Sequence, residues 1–173
     1  YNINFIDRDK FRVTGSIGQG NWAAIPWVAI FNKNITQTAQ RGVYIVYLMD
    51  KKGQKIYLTL NQGCTELRKH HSRSVCNDIL LNNARKIAQQ ITRTIDIQGF
   101  EVELSINLEN DGDEKAQFYQ NGTIFYKEYK KGQVPKESVL QDDLKRMVEI
   151  YNVYSNLECS NEDELITEDV NYK

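Results

Sequence analysis

Between residues 10 and 61 the apolar positions fall on every second residue or in short unbroken runs, which is the signature of strands. Residues 10–15 (KFRVTG) and 25–31 (IPWVAIF) predict two strands joined by a loop that begins Ser16-Ile17-Gly18-Gln19-Gly20-Asn21. Its two glycines permit a tight, exposed turn. Residues 42–49 (GVYIVYLM) and 55–61 (KIYLTLN) are β-branched and aromatic, and Asp50-Lys51-Lys52-Gly53 between them is a hairpin signal, so the two should pair antiparallel. In the first of them Val43, Ile45, Tyr47 and Met49 share one side while Tyr44, Val46 and Leu48 share the other. With both sides apolar, this strand should be central and covered on both faces.

The period then changes. From Val75 to about Thr94, Cys76, Leu80, Ala84, Ile87, Ala88 and Ile91 recur at helical spacing, predicting an amphipathic helix. Leu140, Leu144, Met147, Val148, Tyr151 and Tyr154 predict another, introduced by Pro135 and by Ser138 and Gln141 in capping-box spacing. Between them, residues 100–107 (FEVELSIN) alternate as a strand, and Asn121-Gly122 within 116–129 is a strong hairpin signal. The expected fold is a single α+β domain, a mixed, mostly antiparallel sheet flanked by helices.

Composition narrows the picture. The 173 residues are 40% hydrophobic and 26% charged, enough apolar material for one core. There is no apolar run of membrane-spanning length and no secretory pattern, so a cytoplasmic protein is expected. Cys64, Cys76 and Cys159 are odd in number and irregular in spacing, which argues against a disulfide framework. The chain opens on Tyr1, as an excised fragment would. The net charge of −1 discourages a nucleic-acid partner until it is divided. Residues 157–173 hold six acids against Lys173, leaving 21 bases and 17 acids in residues 1–156. We therefore expect a modestly basic domain over 1–156 and an acidic linker or tail over 157–173.

The segment Thr14–Gly63 contains Gly18-Gln19-Gly20-Asn21-Trp22, then Ile25-Pro26-Trp27-Val28-Ala29, then Gly42-Val43-Tyr44 followed by Val46-Tyr47-Leu48. In these motifs the chain resembles the N-terminal domain of McrB-type modification-dependent restriction systems. A second block agrees: Tyr119 through Tyr129, Pro135, Asp143-Leu144 and Tyr151. The resemblance implies a domain that binds double-stranded DNA carrying a modified base, typically a methylated cytosine, and flips that base out of the duplex. It also implies that a GTP-driven AAA+ motor and a nuclease lie on other domains or subunits. No Gly-x-x-x-x-Gly-Lys-Ser/Thr loop occurs, so no nucleotide site and no cofactor is expected within these residues.

Base extrusion needs a side chain to fill the gap and a pocket to receive the base. Under the resemblance, the loop Gly18, Gln19, Gly20 and Asn21 supplies the wedge, with Gln19 at its tip in place of an aromatic found in a relative. Glutamine could hydrogen-bond the orphaned partner base but stacks poorly. Trp27, Tyr44 and Leu48 are the pocket candidates, since flat rings stack on a flipped base and an aliphatic group packs on a methyl. Trp27 and Leu48 could equally be core residues of central strands. Ser16, Lys33 and Arg41 are candidates for phosphate contacts, as is Asn21, which could instead close its own turn.

Other constellations are weaker. Cys64, His70, His71 and Cys76 invite a zinc reading, but the spacing is poor and Cys76 falls on a helix stripe. Asp111, Asp113 and Glu114 could suggest a nuclease metal site, yet their polar, glycine-containing stretch reads better as a solvated turn, and Glu101 and Glu103 as a strand face. The runs Arg68-Lys69-His70-His71-Arg73 and Lys127 through Lys131 read as solvated faces. The rivals to a DNA-binding module are a nuclease of a DNA-defence system and a protein-interaction module.

Overall fold

The computed structural model describes residues 3–16, 25–102 and 105–171, from 162 onward by backbone alone. Among the described residues five strands follow one another in space as they do in sequence, each antiparallel to the next: β1 (Phe11–Ser16), β2 (Trp27–Asn32), β3 (Val43–Met49), β4 (Lys55–Gln62) and β5 (Phe125–Lys130). The α+β class is as expected, and β3 is the central strand. The β3–β4 turn closes as Asp50 dictates. Its carboxylate accepts the amide N–H groups of Gln54 (2.7 Å) and Lys55 (3.0 Å), and Gly53 takes the left-handed φ of 64° that glycine tolerates.

The strand period of two divides the sheet into unlike faces. On one, Ile30, Val43, Ile45, Leu58, Leu60 and Phe125 pack beneath two long helices, α2 (Arg73–Thr92) and α4 (Glu137–Asn171). Ala84, Ala88 and Ile91 of α2 and Leu144, Met147, Ile150 and Tyr151 of α4 complete that core. Ser72 caps α2 by accepting from the Val75 amide. Tyr151 pins α4 to the sheet: its hydroxyl accepts from the Asn32 amide (3.0 Å) and donates to the Val43 carbonyl (2.5 Å). Asp143 adds a second tie, accepting from Tyr129 and from Lys127, both at 2.7 Å.

The other face carries Ala29, Phe31, Tyr44, Val46, Leu48, Tyr57 and Tyr126 and has thinner cover. That cover is Ile25, Ile106, Leu108 and the first turn of the short helix α3 (Glu114–Gly122). The six-residue helix α1 (Thr65–His70) follows β4 directly.

Three expectations fail. Asn121-Gly122 is not a hairpin turn but the end of α3. A Cβ on Gly122 would lie 2.7 Å from Asn61 Oδ1, so the glycine serves close packing of α3 on β4. Asn61 and Gln62 secure that contact by donating to the Tyr119 and Gly122 carbonyls. The described residues of 100–107 do not form a strand. Among the described residues there, only Glu101 bridges, to Tyr126, while Ile106 and Leu108 are buried without regular structure. Their alternation marks burial against the sheet, not membership of it. Finally, Ser138 lies inside the first turn of α4, which begins at Glu137, so it does not cap that helix. The backbone of the acidic tail continues α4 to Asn171.

Candidate nucleic-acid interface

Register brings the site together on the thinly covered face. Antiparallel pairing sets Arg12 opposite Phe31, Thr14 opposite Ala29 and Ser16 opposite Trp27, so the polar side of β1 borders the aromatic side of β2. Beyond β2 the chain turns through residues 37–41 before entering β3 at Val43. That segment lies close over the end of β4. A Cβ on Gly63 would sit 2.3 Å from the Arg41 amide nitrogen, and the Glu66 amide donates to the Gln40 carbonyl (3.2 Å). With α3 as the far wall, these elements enclose a solvent-open cavity of about 590 Å³.

Trp27, Phe31 and Tyr44 form its aromatic side, the last two with ring centroids 5.2 Å apart and planes tilted by 60°. The Tyr44 hydroxyl donates to the Ala39 carbonyl (3.3 Å), which fixes the ring against the turn. Burial pushes the Tyr44 phenol well above its ordinary value, with Tyr119 beside it adding to the shift. Burial likewise raises Tyr119 to about 12 and the Cys64 thiol to about 11. At neutral pH these walls are uncharged. Among the described residues the charged side chains in the lining are two cations, Arg12 on β1 and Lys115 on α3. A neutral aromatic slot with cationic edges is suited to an uncharged ring attached to an anionic backbone.

The candidate residues separate on this geometry. Trp27, half-buried, and Tyr44, 1% exposed, both line the cavity. Leu48 is fully buried, sits directly across from Trp27 in the β2–β3 register and does not line it. Ser16 pairs with Trp27 at the strand end where the loop departs. Arg41 is exposed on the turn next to the lining residue Gln40. Lys33 lies outside the lining and its ammonium donates to the Arg8 carbonyl (2.8 Å). Gly18, Gln19, Gly20 and Asn21 lie outside the described residues.

Arg12, Thr14, Phe31, Gln37, Lys115 and Tyr119 line the cavity without having been singled out from the sequence. A signal for the first three existed. Arg12, Thr14 and Ser16 alternate with Phe11 and Val13, and pairing that polar row with Trp27 and Phe31 would have found the site's edge. Lys115, Tyr119 and Gln37 approach from distant segments, which period and propensity do not relate.

The competing constellations have structural employment. Asp113 caps α3 by accepting from the Ala116 amide (2.8 Å), and Glu114 pairs with Arg68 (2.8 Å). Lys69 pairs with Glu66 and Lys127 with Asp143, so much of both basic runs is spent on ion pairs. Among the described residues no three His, Cys, Asp or Glu side chains gather as metal ligands would, and no helix is long and apolar enough to cross a membrane.

On comparison with known proteins, the model of the family described as MrcB-like, N-terminal domain matches residues 1–156. No curated protein matches the chain.

Proposed function

The chain belongs to the MrcB-like N-terminal domain family, and from that premise we propose that it recognises a modified cytosine in double-stranded DNA by taking the flipped base into the cavity bounded by Trp27, Phe31 and Tyr44. The family is one of DNA-binding modules of restriction systems, not itself catalytic.

The observation that carries the proposal is the pairing of a neutral aromatic slot with two cations, Arg12 and Lys115, in one cavity lining. Extrusion costs a few kcal/mol of lost stacking and pairing. Stacking on Trp27 or Tyr44 returns roughly 1–3 kcal/mol, and Gln19, as the wedge, fills the vacated position. A buried methyl adds only about 0.8 kcal/mol, so discrimination rests on fit to the slot and on easier extrusion as well. Ser16 and Arg41 would hold phosphates at the mouth. Bound in this way the domain delivers a restriction complex, with a GTP-driven motor and a nuclease on other domains or subunits, to modified DNA.

The test is a gel shift with matched duplexes differing at one cytosine. Tighter binding of the modified duplex is expected, and equal affinity for all modified and unmodified duplexes would sink the proposal.

A further inference from the structure

Resting on that reading, we propose that the modification this cavity is built to take is larger and more polar than a methyl group: a cytosine whose substituent is hydroxyl-rich, of the size and character of a sugar. Volume is the first reason. At about 590 Å³ the cavity falls in the roughly 300–1,000 Å³ range that encloses whole drug-sized molecules, and a single pyrimidine ring with a methyl leaves much of it to water.

The distribution of polar groups is the second. Beside its aromatic side chains the lining holds polar ones, among them Thr14, Gln37, Gln40 and Lys115. Among the described residues none of these four side chains makes a hydrogen bond or ion pair. Away from the cavity such groups are committed: Asn61 donates to Tyr119 and Thr123, and Asn77 to Arg73 and Gln117. Uncommitted hydroxyl, amide and ammonium groups converging on one concavity offer both donors and acceptors, which matches hydroxyls, each able to do both. A methyl uses none of them. Among the described residues no carboxylate joins the two cations in the lining, which disfavours an amino substituent.

The experiment compares the full chain's affinity for five duplexes identical except at one base: cytosine, 5-methylcytosine, 5-hydroxymethylcytosine, its glucosylated form and 5-carboxylcytosine. The glucosylated duplex should bind about tenfold tighter than the methylated one, the effect of one or two added hydrogen bonds. Replacing Thr14→Val together with Gln37→Ala should erase that preference, so that the variant binds the glucosylated and methylated duplexes alike. If the methylated duplex is preferred and the glucosylated one excluded, this inference falls and base recognition stands. A carboxylated base bound tightest would also overturn it, in favour of an anion held by Arg12 and Lys115. No discrimination among the five removes base recognition itself, and the inference with it. Retention of the full glucosyl preference in the double variant refutes the assigned contacts.

Discussion

The two faces of the sheet are built from the same strands and end differently. Beneath α2 and α4 the apolar residues of five strands meet two long helices, and Met147, Ile150 and Tyr151 are fully buried. A concavity of about 300 Å³ at the edge of that face, near Ile3, Val28 and Leu144, has no charged residue in its lining among the described residues. The opposite face has a nine-residue helix and irregular segments for cover, and the gap they leave holds rings, amides and two cations. Helices with continuous stripes close a face; short, polar cover leaves it open and lets it bind. The difference assigns stability to one side of the sheet and recognition to the other.

The strongest challenge to that division is a cavity made on the helical side. Ile150→Ala should lower the unfolding free energy by about 2–5 kcal/mol. Affinity for modified DNA, measured below the melting transition, should stay within about twofold. Denaturant unfolding and gel shift on the same sample check both, and a large affinity loss in a folded sample would break the comparison.

Gly63→Ala probes the close contact between the end of β4 and the 37–41 segment. The new Cβ would lie 2.3 Å from the Arg41 nitrogen and 2.7 Å from the Ala39 oxygen, both backbone atoms that cannot rotate away. The 37–41 segment must move, at about 1–3 kcal/mol of stability. Because that segment forms a cavity wall, modified-duplex binding should weaken as well, and thermal melting alongside titration will show whether both change.

Trp27→Ala should weaken modified-duplex binding by roughly 1–3 kcal/mol and unmodified binding less. Lys33→Ala, at a position outside the cavity, should weaken both alike. Unchanged binding in Trp27→Ala would make it a core residue only.

How much of this was legible depended on range. The four leading strands, α2 and α4 followed from period alone, because Val43–Met49 and the Cys76–Ile91 stripe each record their own burial. Asn121-Gly122 misled because the same pair serves a turn or a close helix–strand contact, and only Asn61, sixty residues earlier, decides which. Leu48 shows the converse: it belongs to the right face but lies under the layer that meets solvent. Aromatic identity pointed to Trp27 and Tyr44, whereas Lys115 and Gln37 reach the same cavity through packing that no local pattern encodes. The Gly18–Asn21 loop, on which the family resemblance leans most, lies outside the described residues.

The smallest effect concerns the neutrality of the cavity walls. Burial raises Cys64 from 9.0 to about 11 and Tyr119 from 10.0 to about 12, so the folded state favours their protonated forms. Groups whose folded values are raised contribute their full stability below the unfolded value and lose it as pH climbs toward the folded one. Stability should therefore be insensitive to these two groups up to about pH 9 and fall between about pH 9 and 12, Cys64 acting first. Cys64→Ala should remove the earlier part of the fall and leave the later part. Thermal melts from pH 7 upward on both proteins measure this directly. An identical alkaline slope in the variant would mean that Cys64 is wetter than its place on the cavity wall implies, and that the recognition side is more open than its aromatic lining suggests.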